Sequence, residues 1–244
     1  MRKIKRALIS VSDKQGLEEL VKTLNDFGVE ILSTGGTAKL IASLGIKVRS
    51  VSDYTGFPEM LDGRVKTLHP KIHGALLSLR ANQGHMDQVA KHSIELIDMV
   101  VVNLYPFEKT VAKKDVQFEH AIENIDIGGP SMLRSASKNF KDVVVVADAG
   151  SYKEVISDLK KNNGSISDEL HFKLAVQVFE KTAKYDQAIY GYLKKQLDGK
   201  KCECECKKEE TFPETLDLGF EKVQDLRYGE NPHQGAAFYK DKTK

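Results

Sequence analysis

The feature that most constrains this chain is an alternation running from its start to about residue 146: short apolar runs trade places with amphipathic stretches, and glycine punctuates the exchange. Residues 5–11 read as a buried strand. Residues 14–27 follow as a helix with Leu17, Leu20, Val21 and Leu24 on one face, stopped by Gly28. The unit repeats with a strand at 29–34, a helix at 36–44 ended by Gly45, and a strand at 47–52. A chain that alternates in this way builds an α/β fold: a mostly parallel sheet with helices on both faces.

The middle is less regular. Residues 55–58 and 64–70 read as loop, with strands expected at 74–78 and at 97–104, the second entirely apolar through Met99, Val100, Val101 and Val102. Helices are expected at 118–124 and 130–139, where Pro130 falls in a first turn and its missing N–H costs nothing. A last core strand covers 143–146. Helical patterns then run over 152–161 and 168–197, with Leu170, Leu174, Val178, Tyr185, Ile189 and Leu193 near helical spacing. Three regions result: a domain at 1–197, a charged linker at 198–215, and a tail at 216–244 in which strand-like character restarts.

Composition narrows the function classes. With 41% hydrophobic and 30% charged residues among 244, the chain supports a globular core. A net charge of only +2 argues against a general nucleic-acid binder. No apolar run approaches the ~18 residues of a membrane span. The basic start, Met1 to Arg6, is followed by an apolar stretch that ends at Ser10, ahead of Asp13 and Lys14, so no signal core forms and a cytoplasmic location is expected. The three cysteines, Cys202, Cys204 and Cys206, form neither a disulfide framework nor a zinc spacing. They read as exposed thiols of the linker, with soft-metal binding as the alternative.

Candidate chemistry gathers at four places. Ser33, Thr34, Gly35, Gly36 and Thr37 lie where a strand gives way to a helix, so backbone N–H groups and the helix dipole favour an anion there. Ser12, Asp13 and Lys14 occupy the same kind of junction one unit earlier. A tight turn explains the glycine pair equally well. It is neither a G-x-G-x-x-G nor a P-loop, so no nicotinamide, flavin or ATP is called for, and no cofactor is expected. The segment from Gly63 to Pro70, with Arg64, Lys66 and Thr67, and the segment Asp126 to Ser131, with Gly128 and Gly129, each set glycine and small polar groups beside an apolar run. That chemistry suits a backbone-lined pocket for an anionic substrate.

Each of these residues also has a plainer reading. Lys66 fits a solvated surface lysine, Asp126 a loop hydrogen-bonder, and Tyr105 a packing residue. Asn103 and Tyr105 follow the most apolar strand, where ligand contacts concentrate in parallel sheets. His69 and His73 are four apart, but Pro70 argues against a shared helical face and no acidic third ligand is near, so no metal site is expected. Lys138 lies eight residues after Pro130, about 12 Å along a helix axis, which leaves its contact with Asp126 open.

Six motifs, in order, resemble the inosine monophosphate (IMP) cyclohydrolase domain of the bifunctional purine-biosynthesis enzyme. They are Ser-Val-Ser-Asp-Lys (10–14), Ser-Thr-Gly-Gly-Thr (33–37), Thr-Gly-Phe-Pro-Glu-Met (55–60), Gly-Arg-Val-Lys-Thr-Leu-His-Pro (63–70), Asn-Leu-Tyr-Pro-Phe (103–107) and Asp-Ile-Gly-Gly (126–129). The resemblance covers about 5–197 and implies a methylglyoxal-synthase-like fold, usually as a homodimer. It implies ring closure of 5-formamidoimidazole-4-carboxamide ribotide to IMP with loss of water. It also implies a catalytic set of Lys66, Tyr105, Asp126 and Lys138. Phosphate, ribose and the rest of the purine ribotide fall to Ser12, Lys14, Thr34, Gly35, Gly36, Thr37, Arg64, Thr67, Asn103, Gly128 and Gly129.

Methylglyoxal synthase and the nucleotide-binding regulatory module that ends carbamoyl phosphate synthetase are the competing readings. Both account for residues 34–37, but not for residues 63–70 and 126–129. Residues 226–234 resemble the opening of the transformylase domain that follows in bifunctional members, with Arg227 and Tyr228 matching its active-site pair. The expectation is a chain that cyclises the formylated ribotide but does not itself formylate. It is then either a fragment or a partner of a separate transformylase chain.

Overall fold

A computed structural model describes residues 2–105, 107–112, 116–200 and 218–241. The cysteines and most of the expected linker lie outside the described residues. Two compact units emerge, Met1–Leu197 and Asp198–Lys244.

The first unit opens with β1 (Arg6–Val11), α1 (Leu17–Asp26), β2 (Glu30–Ser33), α2 (Gly35–Ser43), β3 (Val48–Ser50) and α3 (Val51–Thr55). A 3-10 turn at Leu61–Gly63 leads to α4 (Pro70–Leu77) and α5 (Gln83–Lys91). Then come β4 (Met99–Asn103), α6 (Phe107–Val111), α7 (Phe118–Glu123), α8 (Gly128–Lys138), β5 (Val144–Val146), α9 (Tyr152–Lys161) and α10 (Asp168–Lys200).

The five strands form one all-parallel sheet in the order β3-β2-β1-β4-β5, as the alternation predicts. Register explains why both faces are apolar. Leu8 pairs with Leu32 and Val100, and Val100 with Val145, giving one row that packs with α3, α4 and α8. One residue on, Ile9, Val101 and Val146 form a row on the other face, packed with α1, α2 and α9. A strand covered on both sides must be apolar at successive positions, which is the signature of residues 97–104.

Two stretches depart from expectation. Residues 74–78 belong to helix α4, not to a strand. Pro70 takes the first helical position, the His69 ring accepts the Lys71 N–H, and Ile72, Ala75 and Leu76 are buried at helical spacing. A five-residue apolar run cannot by itself distinguish the two periods. Residues 51–55, split between strand and loop in the sequence reading, form α3, capped by Ser50 accepting the Asp53 N–H.

The second unit contains β6 (Phe220–Leu226) and β7 (Ala236–Asp241), an antiparallel pair with a register shift between Lys222 and Gln224. Among the described residues no helix is long and apolar enough to cross a membrane.

At the N-terminal ends of the strands a buried ion pair ties the sheet together. Asp98 Oδ2 accepts the Lys5 and Arg6 N–H groups at 2.7 and 2.9 Å, and its Oδ1 meets Arg80 Nη1 at 2.5 Å. Both side chains are 7% exposed, and Arg80 Nη2 also donates to the Ile97 carbonyl. Removing one partner strands a buried charge. Arg80→Met should therefore cost about 3–5 kcal/mol in urea unfolding; an unchanged midpoint would show that the pair contributes nothing net.

Candidate active site

The strand order reverses direction at β1 and β4, and the crevice outside their C-terminal ends is where parallel sheets hold ligands. Asn103 closes the base of that crevice. Its Oδ1 accepts the Ser12 N–H at 2.6 Å, the Ser12 hydroxyl at 3.0 Å and the Asp13 N–H at 3.2 Å, while its Nδ2 donates to the Asp13 carbonyl at 2.7 Å. The amide is occupied in tying β4 to the β1–α1 turn. Asn103 and Ser12, expected at the substrate, instead hold one another.

The anion cradle at residues 34–37 divides in the same way. The Thr37 hydroxyl is buried, donating to the Val11 carbonyl at 2.9 Å and accepting the Val11 N–H at 3.1 Å, so it pins α2 to β1. Thr34 stands at the N-cap of α2 without capping it. The first N–H to find an acceptor within this helix start is that of Ala38, on the Thr34 carbonyl, so the N–H groups of Gly35 and Gly36 remain available to a ligand. The Lys14 ammonium approaches this terminus, 3.8 Å from where a Cβ on Gly36 would lie. Thr34, Gly35, Gly36 and Lys14 therefore lie together at the start of α2.

Residues 56–69 fold over this terminus. Leu61, Asp62 and Gly63 all have positive φ, and a Met60–Val65 bridge closes the turn. Gly63 suits its φ of +88°, and the end of the Lys66 side chain lies so close over it that a Cβ would push that flexible end aside. Lys66 thus lies flat across Gly63 and reaches Glu59 Oε2 at 3.1 Å. The other carboxylate oxygen, Oε1, accepts the Thr34 hydroxyl at 2.7 Å. That hydroxyl, then Lys66, holds the Glu59 carboxyl below the usual carboxylate range. Arg64, expected at the phosphate, turns outward into a forked ion pair with Glu123 and braces the loop against α7.

Beyond this loop, the Thr67 hydroxyl lies 2.7 Å from where a Cβ on Gly128 would sit, which brings residues 66–67 against the start of α8. Asp126 folds over that start. Its Oδ1 accepts the Gly129 N–H at 2.9 Å, and a Cβ on Gly129 would collide with Oδ2. Burial pushes the Asp126 carboxyl up, while the N–H groups of Gly129 and Tyr105 pull against that shift. The Tyr105 ring itself is exposed. From α10, the Tyr185 hydroxyl accepts the Asp126 N–H at 2.8 Å and so positions the loop.

Lys138 does not join this group within one chain. It ends α8, whose axis runs about 15 Å from its first residue to its last. There it lines a groove with Leu79, Asn82 and Asp142 near the N-terminal ends of the strands. His69 and His73 also need correction: Pro70 does not separate them, since His69 caps α4 and His73 lies within it. Their ring nitrogens take different partners, the Lys71 N–H and the Ser135 hydroxyl. Sequence reasoning missed Glu59 and Tyr185. Glu59 stands inside a quoted motif, but an acid beside an anion cradle gave no reason to be chosen; Tyr185 carried the periodicity of a core position.

Comparison with known proteins identifies the family and the fold. The MGS-like domain model matches residues 16–131, and the AICARFT/IMPCHase bienzyme model matches residues 136–244. The crystal structure of ForH superposes with a TM-score of 0.70 at 31% sequence identity, covering 76% of this chain and 95% of ForH. The chain belongs to the AICARFT/IMPCHase bienzyme family of purine-biosynthesis enzymes and carries its MGS-like domain.

Proposed function

We propose that this chain is an IMP cyclohydrolase that closes 5-formamidoimidazole-4-carboxamide ribotide to IMP. The carrying observation is the meeting of two chemistries at one sheet edge. Thr34, Gly35, Gly36 and Lys14 form a terminus suited to phosphate, and Asp126 stands beyond Thr67 as a half-buried carboxylate held by the N–H groups of Gly129 and Tyr105. A purine ribotide has the same two ends.

In the reaction the carboxamide nitrogen attacks the formyl carbon, forming a C–N bond while the formyl oxygen gains negative charge. Asp126 takes the proton from nitrogen; burial strengthens it as a base. Lys66 gives a proton to the oxyanion, the proton held by Asp126 then lets the hydroxyl leave as water, and the former formamide nitrogen returns its proton to Lys66 as the C=N bond closes. Tyr105, exposed beside Asp126, is available to pack on the imidazole ring. No electron changes hands and no second substrate is consumed, so the steps need positioning and proton transfer alone.

Lys138 belongs to this mechanism only if a second copy supplies it, because α8 carries it away from Asp126 of its own chain. We place the homodimer in the reading for that reason. Lys66→Ala and Lys138→Ala should each lose about 10²–10³ in kcat. Mixed after co-refolding, the two inactive variants should recover about a quarter of wild-type activity, since half the dimers are then mixed and each keeps one intact site. No recovery on mixing would put Lys138 in its own subunit or outside the mechanism.

Two further outcomes test the assignments. The raised Asp126 carboxyl should make kcat fall, as pH drops, at a value above that of an ordinary aspartate, because the base must be ionised. A flat acid limb would remove Asp126 as the base.

The threonines should separate cleanly. Thr34→Val should raise KM more than it lowers kcat, as uniform phosphate binding requires. Thr37→Val should leave KM alone and cost about 1–2 kcal/mol of stability through its orphaned backbone partners. The reverse assignment would mean that the cradle lies elsewhere. A protein that binds the nucleotide tightly and turns nothing over would instead be a regulatory module.

A further inference from the structure

The Glu59 carboxylate lies beside the cradle in which an anion is expected. Its two oxygens reach the Thr34 hydroxyl at 2.7 Å and the Lys66 ammonium at 3.1 Å, so one carboxylate spans the gap between the cradle and the catalytic loop. Thr34 is the N-cap residue of α2, and its hydroxyl donates to Glu59 and does not cap the helix. A phosphate monoester brought to Thr34, Gly35 and Gly36 would arrive beside a resident negative charge. The two cannot share the place without repulsion.

We propose that Glu59 is a positioning residue that guards this site: in the empty protein it stands in for the substrate's phosphate between Thr34 and Lys66, and a phosphomonoester displaces it and releases Lys66. The inference rests on the cyclohydrolase reading for Lys66, but not for the exchange of anions. Displacement is cheap in structural terms. The Glu59 side chain is 41% exposed, and an ion pair so placed is worth little. Glu59 also precedes the Met60–Val65 bridge, so its side chain can swing out while the turn that shapes Lys66 stays closed. A phosphate at an uncapped helix terminus, with Lys14 alongside, has more to gain there than a single carboxylate. Lys66 is thereby held from the reacting atoms until a ligand with the right anionic end is seated.

Calorimetric titration with inosine 5′-monophosphate and with inosine, on wild type, Glu59→Gln and Glu59→Ala, tests the exchange. Both variants should bind the monophosphate about three- to fivefold more tightly, because the competing negative charge is gone. Binding of inosine should not change, and equal thermal midpoints should show the fold intact. In turnover, KM for the formylated ribotide should fall while kcat stays within about twofold.

Unchanged or weaker monophosphate binding in both variants would overturn the proposal. So would a loss of kcat at constant KM, which would make Glu59 a lasting support for Lys66. Failure of the monophosphate to bind any of the three proteins would overturn it as well. Tighter monophosphate binding in a protein that never cyclises the ribotide would leave the exchange standing and reject the cyclohydrolase reading instead.

Discussion

The candidate site depends on one side-chain amide. Asn103 ends β4, and four hydrogen bonds from its amide hold the turn that leaves β1. That contact sits at the switch point of the sheet, where two parallel strands would otherwise diverge into separate loops. With it in place, the β1–α1 turn is set beside the start of α2, and the Thr37 hydroxyl locks α2 to β1 from within. Lys14 meets the uncapped terminus of α2 because both neighbours are held. Residues that look like ligand contacts in the sequence thus serve a prior purpose, to build the surface that a ligand would use.

Above that base, the loop at 56–69 connects the two ends of the site. Glu59 touches the cradle, Lys66 lies on Gly63, and Thr67 abuts Gly128, so a single segment contacts both the anion terminus and the aspartate's helix. Arg64 and Glu123 brace its outer side. Three successive residues with positive φ make the segment an unfavourable local conformation, and it persists because each of these contacts specifies it. Asp126 is supported separately, by Gly129 and Tyr105 on its carboxylate and by Tyr185 on its backbone. Chemistry at one end can therefore answer to occupancy at the other through residues 59–67.

Much of the fold was legible because burial on two faces leaves a local trace. Residues 97–104 are apolar at every position from Met99 to Val102, and the face of Leu17, Leu20, Val21 and Leu24 has helical spacing. Where the trace was ambiguous, the reading failed. Ile72, Ala75 and Leu76 sit in a run too short to declare its period, and Pro70, read as a breaker, is the helix's first residue.

At the site, the sequence by itself determined which residue types stand at which junctions: glycines where the backbone turns or another group crowds in, a lysine beside Gly63, an aspartate before two glycines. Only the tertiary structure decided what each one faces. Thr34 and Thr37 are three residues apart on one helix start, yet one hydroxyl meets Glu59 and the other is buried against Val11. Asp126 and Lys138 flank one helix, and its rise along the axis separates them. Glu59 is an ordinary acid in the chain and in three dimensions bridges the Thr34 hydroxyl and the Lys66 ammonium. The physical reason is that a side chain's hydrogen-bonding capacity is spent on whichever partner the packing brings nearest, and those partners lie 25 to 91 residues away.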